Sequence, residues 1–250
     1  MGKSKDLATG ETRFVNTAGD NMTGNLGIGT TSPNGALHVK GISDHGKIVV
    51  EHGGTSGSTN HNFISFHNHA GNTVAEIQSE ENATNSSALL FKTGGTTTNM
   101  AVSHNGHVTK PNQPSFLAFR AGGNYTTTSV AWEKMILDGT RWNTGSHYST
   151  SNHRFTAPVS GVYHFDGGVN RYYIPAGNLF RVGLYVNGSA YIYGQVDYSD
   201  GTSDLKYIVS STIKLDANDY VELWSYSNYS GSNGYSSGAV WNTLSGYLVG

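Results

Sequence analysis

Apolar side chains in the second half of this chain recur at every other position over short stretches. In Gly161-Val162-Tyr163-His164-Phe165-Asp166, Tyr163 and Phe165 share one face, and in Arg181-Val182-Gly183-Leu184-Tyr185-Val186, Val182, Leu184 and Val186 do. Ile213 with Leu215, Val221 with Leu223, and Leu244 with Leu248 repeat the pattern. A period of two is the mark of a strand with one buried face. Turn formers separate the stretches: Pro158-Val159-Ser160-Gly161, Asn187-Gly188 and Asp216-Ala217-Asn218-Asp219. No amphipathic helix of useful length intervenes. The pattern predicts an all-β chain whose residues 112–250 form one antiparallel β-sandwich or jelly roll.

Residues 19–111 follow another rule. Short apolar runs such as Leu26-Gly27-Ile28-Gly29, Ala36-Leu37-His38-Val39, Lys47-Ile48-Val49-Val50, Phe63-Ile64-Ser65-Phe66 and Ala88-Leu89-Leu90-Phe91 stand between Gly, Asn and Ser clusters. All 15 Tyr and 4 Trp fall from Tyr125 onward, whereas 8 of the 11 His precede residue 112. A lean β shaft carrying an aromatic head is the resulting organisation. The shaft strands have too few large side chains to close a core within one chain. Three copies wound about one axis would bury their apolar faces together, so a homotrimer is expected. Residues 1–18 are polar and without pattern, and are read as a flexible segment.

Composition removes several classes of function. With 13% charged residues, 33 Gly and a net charge of −2, the surface is mostly uncharged and polar, and no basic stripe exists to meet a run of phosphates. Nucleic acid is not an expected partner. No apolar run approaches a membrane span, so no membrane insertion is expected. No apolar core follows Met1 to Lys5 as a secretory signal requires, and Asp6 breaks the N-myristoylation pattern. Absence of Cys excludes disulfides and thiolate metal sites.

Two resemblances follow from longer motifs. Gly19-Asp20-Asn21-Met22-Thr23-Gly24-Asn25-Leu26 is similar to the G-D-x-M-x-G-x-L element of bacteriophage tail-fibre proteins, and Leu26 to Pro33 with Ala36 to Gly41 resembles the shaft of the same adhesins. Leu90-Phe91-Lys92-Thr93-Gly94-Gly95 and Ser103-His104-Asn105-Gly106-His107-Val108 match a further fibre module, although Met100-Ala101-Val102 departs from its usual charged residues. In the head, Phe155-Thr156-Ala157-Pro158-Val159-Ser160-Gly161-Val162-Tyr163-His164-Phe165 resembles the "F-T-A-P-x-x-G-x-Y-x-F" signature of the globular head of complement subcomponent q and the tumour-necrosis-factor-like jelly rolls. Phe116 and Phe119, Leu184 to Gly188, Leu215 with Asp219 to Leu223, and Leu244-Ser245-Gly246-Tyr247-Leu248 match its other strands, with Leu244 in place of Phe. The resemblances imply a trimeric tail fibre or receptor-binding protein of a phage virion, facing other tail components at residues 1–18 and host attachment at the head. No G-x-y collagen repeat precedes the head.

The candidate chemistry is recognition. Ser225 to Gly238 is built of Tyr, Ser, Gly and Asn, residues that combine rigid amphipathic rings with adaptable hydrogen bonding. Tyr226, Asn228, Tyr229, Asn233 and Tyr235, together with Tyr172 and Tyr173, are the expected receptor contacts, and a bacterial surface glycan is the expected partner because sugar C–H faces stack on tyrosine. Tyr191 through Tyr198 offer further surface. His67-Asn68-His69 places two imidazoles on one face of a strand; three copies would offer six nitrogens to an octahedral metal such as iron. Asp197, Asp200 and Asp204 depart from calcium-loop spacing and read as solvated turn residues. No enzyme is expected, since no G-x-S-x-G elbow, zinc signature or paired carboxylates appear. A glycan depolymerase with an inter-chain groove and a purely structural fibre are the alternatives.

Overall fold

Alternation becomes a succession of strands in the computed structural model, which describes residues 26–28, 32, 36–39, 60–83, 86–128, 130–201 and 205–250. Every regular element among them is a strand. The segments read at 1–18, 19–25 and 47–50 lie outside the described residues.

In the shaft, β1 (Leu26–Ile28) and β2 (Leu37–Val39) pair in parallel. Then β3 (Asn60–His67), β4 (Thr73–Ala83), β5 (Ser86–Thr93), β6 (Thr97–Val102) and β7 (Val108–Thr109) form an antiparallel sheet in sequence order. Register decides what each face carries. Ile64 lies opposite Ile77, Ile77 opposite Phe91, and Phe91 opposite Met100, so an apolar row crosses four strands on one face. A parallel row of Leu89, Val102 and Val108 runs beside it. Within one chain these rows stay open, with Ile64 at 54% and Leu89 at 42% exposure.

The head comprises β8 (Ser115–Phe119), β9 (Tyr125–Thr127), β10 (Trp132–Lys134), β11 (Gly139–Thr144), β12 (Tyr148–Ser149), β13 (Arg154–Thr156), β14 (Gly161–Tyr172), β15 (Leu179–Val186), β16 (Ser189–Tyr198), β17 (Leu205–Leu215), β18 (Tyr220–Ser227), β19 (Asn233–Tyr235) and β20 (Thr243–Leu248). One sheet has the order β12-β13-β18-β15-β16, with β10 also paired to β18. The other runs β11-β8-β20-β14, with β17 on the free edge of β14, while β19 and β9 extend it past the end of β20. This is the expected jelly-roll sandwich. The Asn187-Gly188 turn joins β15 to β16 with both φ angles positive (52° and 77°), the twist that a two-residue hairpin needs.

The alternating residues meet between the sheets. Tyr163, Phe165, Val182, Leu184, Ile213, Leu215, Val221, Leu223 and Leu244 are all buried, and Val186 and Leu248 pack against them. Phe116 stacks on Phe155 at 5.0 Å, and Phe155 meets Phe165 at 5.6 Å. Each such ring contributes about 1.5–3 kcal/mol through burial. Gly167 sets the spacing of the sheets here, because a Cβ on it would stand 2.5 Å from Leu223 Cδ1.

Shaft and head are stitched at one end. The Asn112 side-chain amide donates to Thr98 O (3.1 Å) and Asn99 Oδ1 (2.9 Å), and the Gln113 amide donates to Leu248 O. The Leu248 N–H donates to Pro114 O, and Val162 N–H to Gly250 O at 2.7 Å. The start of β14, the entry from the shaft and the last residues therefore lie together.

Candidate functional site

β14 is 12 residues long and begins at this junction. At 3.2–3.4 Å per residue it carries the chain about 36 Å away, so Tyr172 and Tyr173 stand at the end of the head farthest from the shaft. Tyr172 ends the strand half-buried, its hydroxyl donating to Tyr125 O at 3.3 Å. Tyr173 leaves it with φ 58°, in the left-handed region that a bulky residue seldom occupies. The outcome is a ring 75% exposed, with its neighbour Tyr172 edge-on at 5.0 Å and 88°.

A groove of about 420 Å³ opens beside it, lined by Tyr173, Ile174, Pro175, Gly201, Tyr229 and Ser232. Ser199 holds the floor: its buried hydroxyl donates to Ile174 O (2.6 Å) and accepts Gly201 N–H (3.0 Å). Gly201 has φ 80°, and a Cβ there would come within 2.8 Å of Ala176 N, so only glycine lets the two loops meet. Tyr229 forms the far wall. Its loop is shaped from behind by Asn233, whose amide donates to Gly231 O at 2.9 Å and to Tyr229 O at 3.4 Å.

Behind the groove lies a buried ionic network. Arg171, with no exposed surface, donates from Nε to Asn233 Oδ1 (2.6 Å) and from Nη2 to Glu133 Oε2 (3.2 Å). Tyr235 donates its hydroxyl proton to the same carboxylate oxygen (3.1 Å), and Ser225 lies 2.8 Å from that hydroxyl. Burial pushes the Tyr235 phenol well above its usual range, which keeps the proton available for Glu133. The Arg171 guanidinium also sits over the Tyr235 ring at 4.8 Å.

These contacts revise part of the reading from sequence. Tyr173 and Tyr229 line one groove, and Tyr172 braces it. Tyr235 and Asn233 are 3% and 0% exposed, so neither side chain offers a receptor anything. The physical reason is that Ser225 to Gly238 is not one loop: β19 interrupts it, pairing Tyr235 with Arg171 and Gly234 with Tyr172. Asn228 is exposed, but its side-chain oxygen accepts the Leu179 N–H at 2.6 Å and anchors the loop instead. Tyr226 lies on β18, on the outer face of the sheet, against Trp132. Ser232 belongs to the Ser225–Gly238 stretch, whereas for Ile174, Pro175, Ser199 and Gly201 only the Tyr-Tyr-Ile-Pro sequence hints at a rigid corner there.

For the histidine pair, β3 ends at His67, and His69 stands in the following turn. The strand alternation that would align the two rings therefore stops two residues too early, and His67 Nδ1 is engaged with Gly71 O at 2.9 Å. No three His, Asp or Glu side chains converge on one point among the described residues. Asp197 and Asp200 are exposed, while Asp204 lies outside the described residues.

The architecture that holds this groove has a family counterpart. The family model described as the C1q domain matches residues 118–249, more than half of the chain. The chain belongs to the C1q domain family. The matched C1q domain includes both tyrosines of the groove and the network behind it. Uncharacterized protein YqcC of Bacillus subtilis (strain 168) is 30% identical over 111 residues, 42% of this chain and 28% of that protein. The collagen alpha-1(X) chain of Mus musculus is 34% identical over 114 residues, 45% of this chain and 16% of that one. The chain thus spans less than a third of either relative. Among solved structures, the globular domain of zebrafish complement 1qA protein is similar at 16% identity and a TM-score of 0.39, over 55% of this chain and 98% of that one. Eiger, a tumour necrosis factor from S. frugiperda, is similar at 10% identity and a TM-score of 0.43, over 56% and 94%.

Proposed function

We propose that this protein is a bacteriophage tail-fibre adhesin, trimeric, whose C1q head binds a glycan on the bacterial surface through the Tyr173–Tyr229 groove. The observation that carries the reading is the place of that groove: two partly open tyrosines frame it at the end of the head about 36 Å from the shaft junction. A fibre meets its host with its far end. Tyrosine rings fixed by strand ends present flat apolar faces for sugar C–H groups, and the neighbouring Ser232 hydroxyl is a partner for sugar hydroxyls.

The shaft supports three copies. Its row of Ile64, Ile77, Phe91 and Met100 is too apolar to face water in a working fibre. A second and third copy of the same chain are its natural cover, and the fibre-like motifs at 19–41 and 90–108 agree with that assembly. In the virion, residues 1–18 would meet other tail components. Three weak sites per head, multiplied over several fibres, hold a cell by avidity without any tight single contact. Binding of this kind needs no reaction.

The test incubates labelled protein with a panel of bacterial strains and scores both cell-bound signal and soluble sugar. Strain-selective binding without sugar release is expected. Tyr173→Ala and Tyr229→Ala should each weaken it at least about tenfold, in line with the loss of a central aromatic contact, with mass and melting unchanged. Equal binding by both variants would remove the groove from the site, and sugar release would make the protein a depolymerase.

A further inference from the structure

A second aromatic surface lies away from the groove, on the outward face of the sheet built from β10, β18, β15 and β16. Glu133 of β10 points inward to Arg171, so its neighbours Trp132 and Lys134 point outward. Trp132 stacks with Tyr193 of β16 at 4.9 Å and 12°, and touches Tyr185 and Tyr226 at 5.7 Å each. Tyr185 in turn stacks on Trp224 at 4.6 Å. Five rings from four strands thus support one another on a face that no layer of the sandwich covers.

The rings are held close against the sheet. Tyr193 lies directly over Gly183, where a Cβ would approach its Cδ1 to 2.9 Å, so glycine lets that ring lie down on the sheet. Burial, with Tyr193 beside it, raises the Tyr185 phenol to about 12, which keeps it a neutral neighbour in this cluster. Along one side runs a fixed polar edge: Glu222 accepts hydrogen bonds from Lys134 Nζ (3.1 Å) and Trp224 Nε1 (3.0 Å), while Lys134 also reaches Asn152 O (3.1 Å). Tyr193 keeps half its surface in water.

We infer that this platform is a second saccharide subsite, in which a pyranose ring lies against the open side of the stacked Tyr193–Trp132 pair with its hydroxyls toward Lys134 Nζ, which buried Glu222 and Asn152 O hold in place. A half-exposed tyrosine ring braced by a stacked indole, beside one fixed ammonium, has the dimensions and chemistry to take a single sugar. Tyr185 is buried and Trp132, Trp224 and Tyr226 are half-buried, so Tyr193 is the most open of the five rings. Pre-stacked rings also lose little freedom when a ligand arrives. The inference rests on the proposed glycan-binding role only for the choice of a sugar, and its position on the side of the head is independent of the groove.

The test is saturation-transfer NMR on the full chain with three probes: chitotetraose, cellotetraose and trigalacturonic acid. At least one should bind saturably in the millimolar range. Tyr193→Ala, on an edge strand, and Trp132→Ala should each weaken it about tenfold or more, and Thr96→Asp, in an exposed turn of the shaft, should leave it unchanged. No saturable binding of any probe, or equal binding by Tyr193→Ala, overturns the subsite. So does a change of oligomeric mass in Tyr193→Ala, which would mean that a second copy covers the face. Loss of cell binding in Tyr173→Ala alongside unaltered oligosaccharide binding in Tyr193→Ala would retain the groove and dismiss the platform. Failure of both variants to alter cell binding, with probe binding sensitive to Tyr193→Ala, would retain the platform and dismiss the groove.

Discussion

Glu133→Ala is expected to destabilise the head by about 3–5 kcal/mol, the usual cost of removing one partner from a buried ion pair. Arg171 has no exposed surface, and its guanidinium is held by Glu133 at 3.2 Å and Asn233 at 2.6 Å. Its Nη1 already has no hydrogen-bond partner. Without the carboxylate, the positive charge has, among the described residues, Asn233 and the Tyr235 and Phe180 rings to offset its desolvation. Tyr235 and Thr127 would lose their acceptor at the same time. Urea melts of the variant should show the loss as a lower midpoint. Tyr235→Phe, which removes one hydrogen bond and keeps the ring, should cost only about 1 kcal/mol. Arg171→Met with Glu133→Leu should recover most of the stability, because the charge goes with its partner. A Glu133→Ala midpoint equal to the parent's would mean that Arg171 is hydrated in solution.

What the residue pattern reveals and what it hides divides along the same line. Tyr163, Phe165, Val182, Leu184, Ile213 and Leu223 announce themselves, because alternation over six or more residues leaves one choice of buried face. Nothing local announces Arg171. It stands in Gly167-Gly168-Val169-Asn170-Arg171, and its partner Glu133 is 38 residues earlier on β10. Burial of the pair depends on how two sheets close. β19 is three residues long and contains a glycine, too short for a period to register, so Tyr235 and Asn233 read as loop. The groove was half legible: Tyr173 and Tyr229 are the right residue types in aromatic, polar stretches. The left-handed φ of Tyr173 and the contact of Gly201 with Ala176 arise only when the 174–178 and 199–201 loops meet. Trp132 and Tyr193 come from distant strands, and their stacking depends on the sheet order.

Ile77→Asp should break the proposed trimer into single chains, read by light scattering after size-exclusion chromatography. Ile77 sits between Ile64 and Phe91 in the centre of the apolar row. A carboxylate there has to be taken out of water once in every copy, at a cost of several kcal/mol each, which multiplied by three exceeds what a lean interface supplies. The single chain loses little by the exchange, since Ile77 is 37% exposed within it. Thr96→Asp, in an exposed turn of the same sheet, is the control and should leave the mass alone. An Ile77→Asp protein that stays trimeric would move the contact between copies to the head. Cell binding should fall with the mass, since avidity disappears with the second and third sites.

The pairing of Val162 with Gly250 fixes where an attachment should go. A fluorophore or fusion partner joined after Gly250 would emerge beside the shaft, some 36 Å behind the tip. Imaging tags and display scaffolds can therefore be coupled at that end without shading the proposed binding groove.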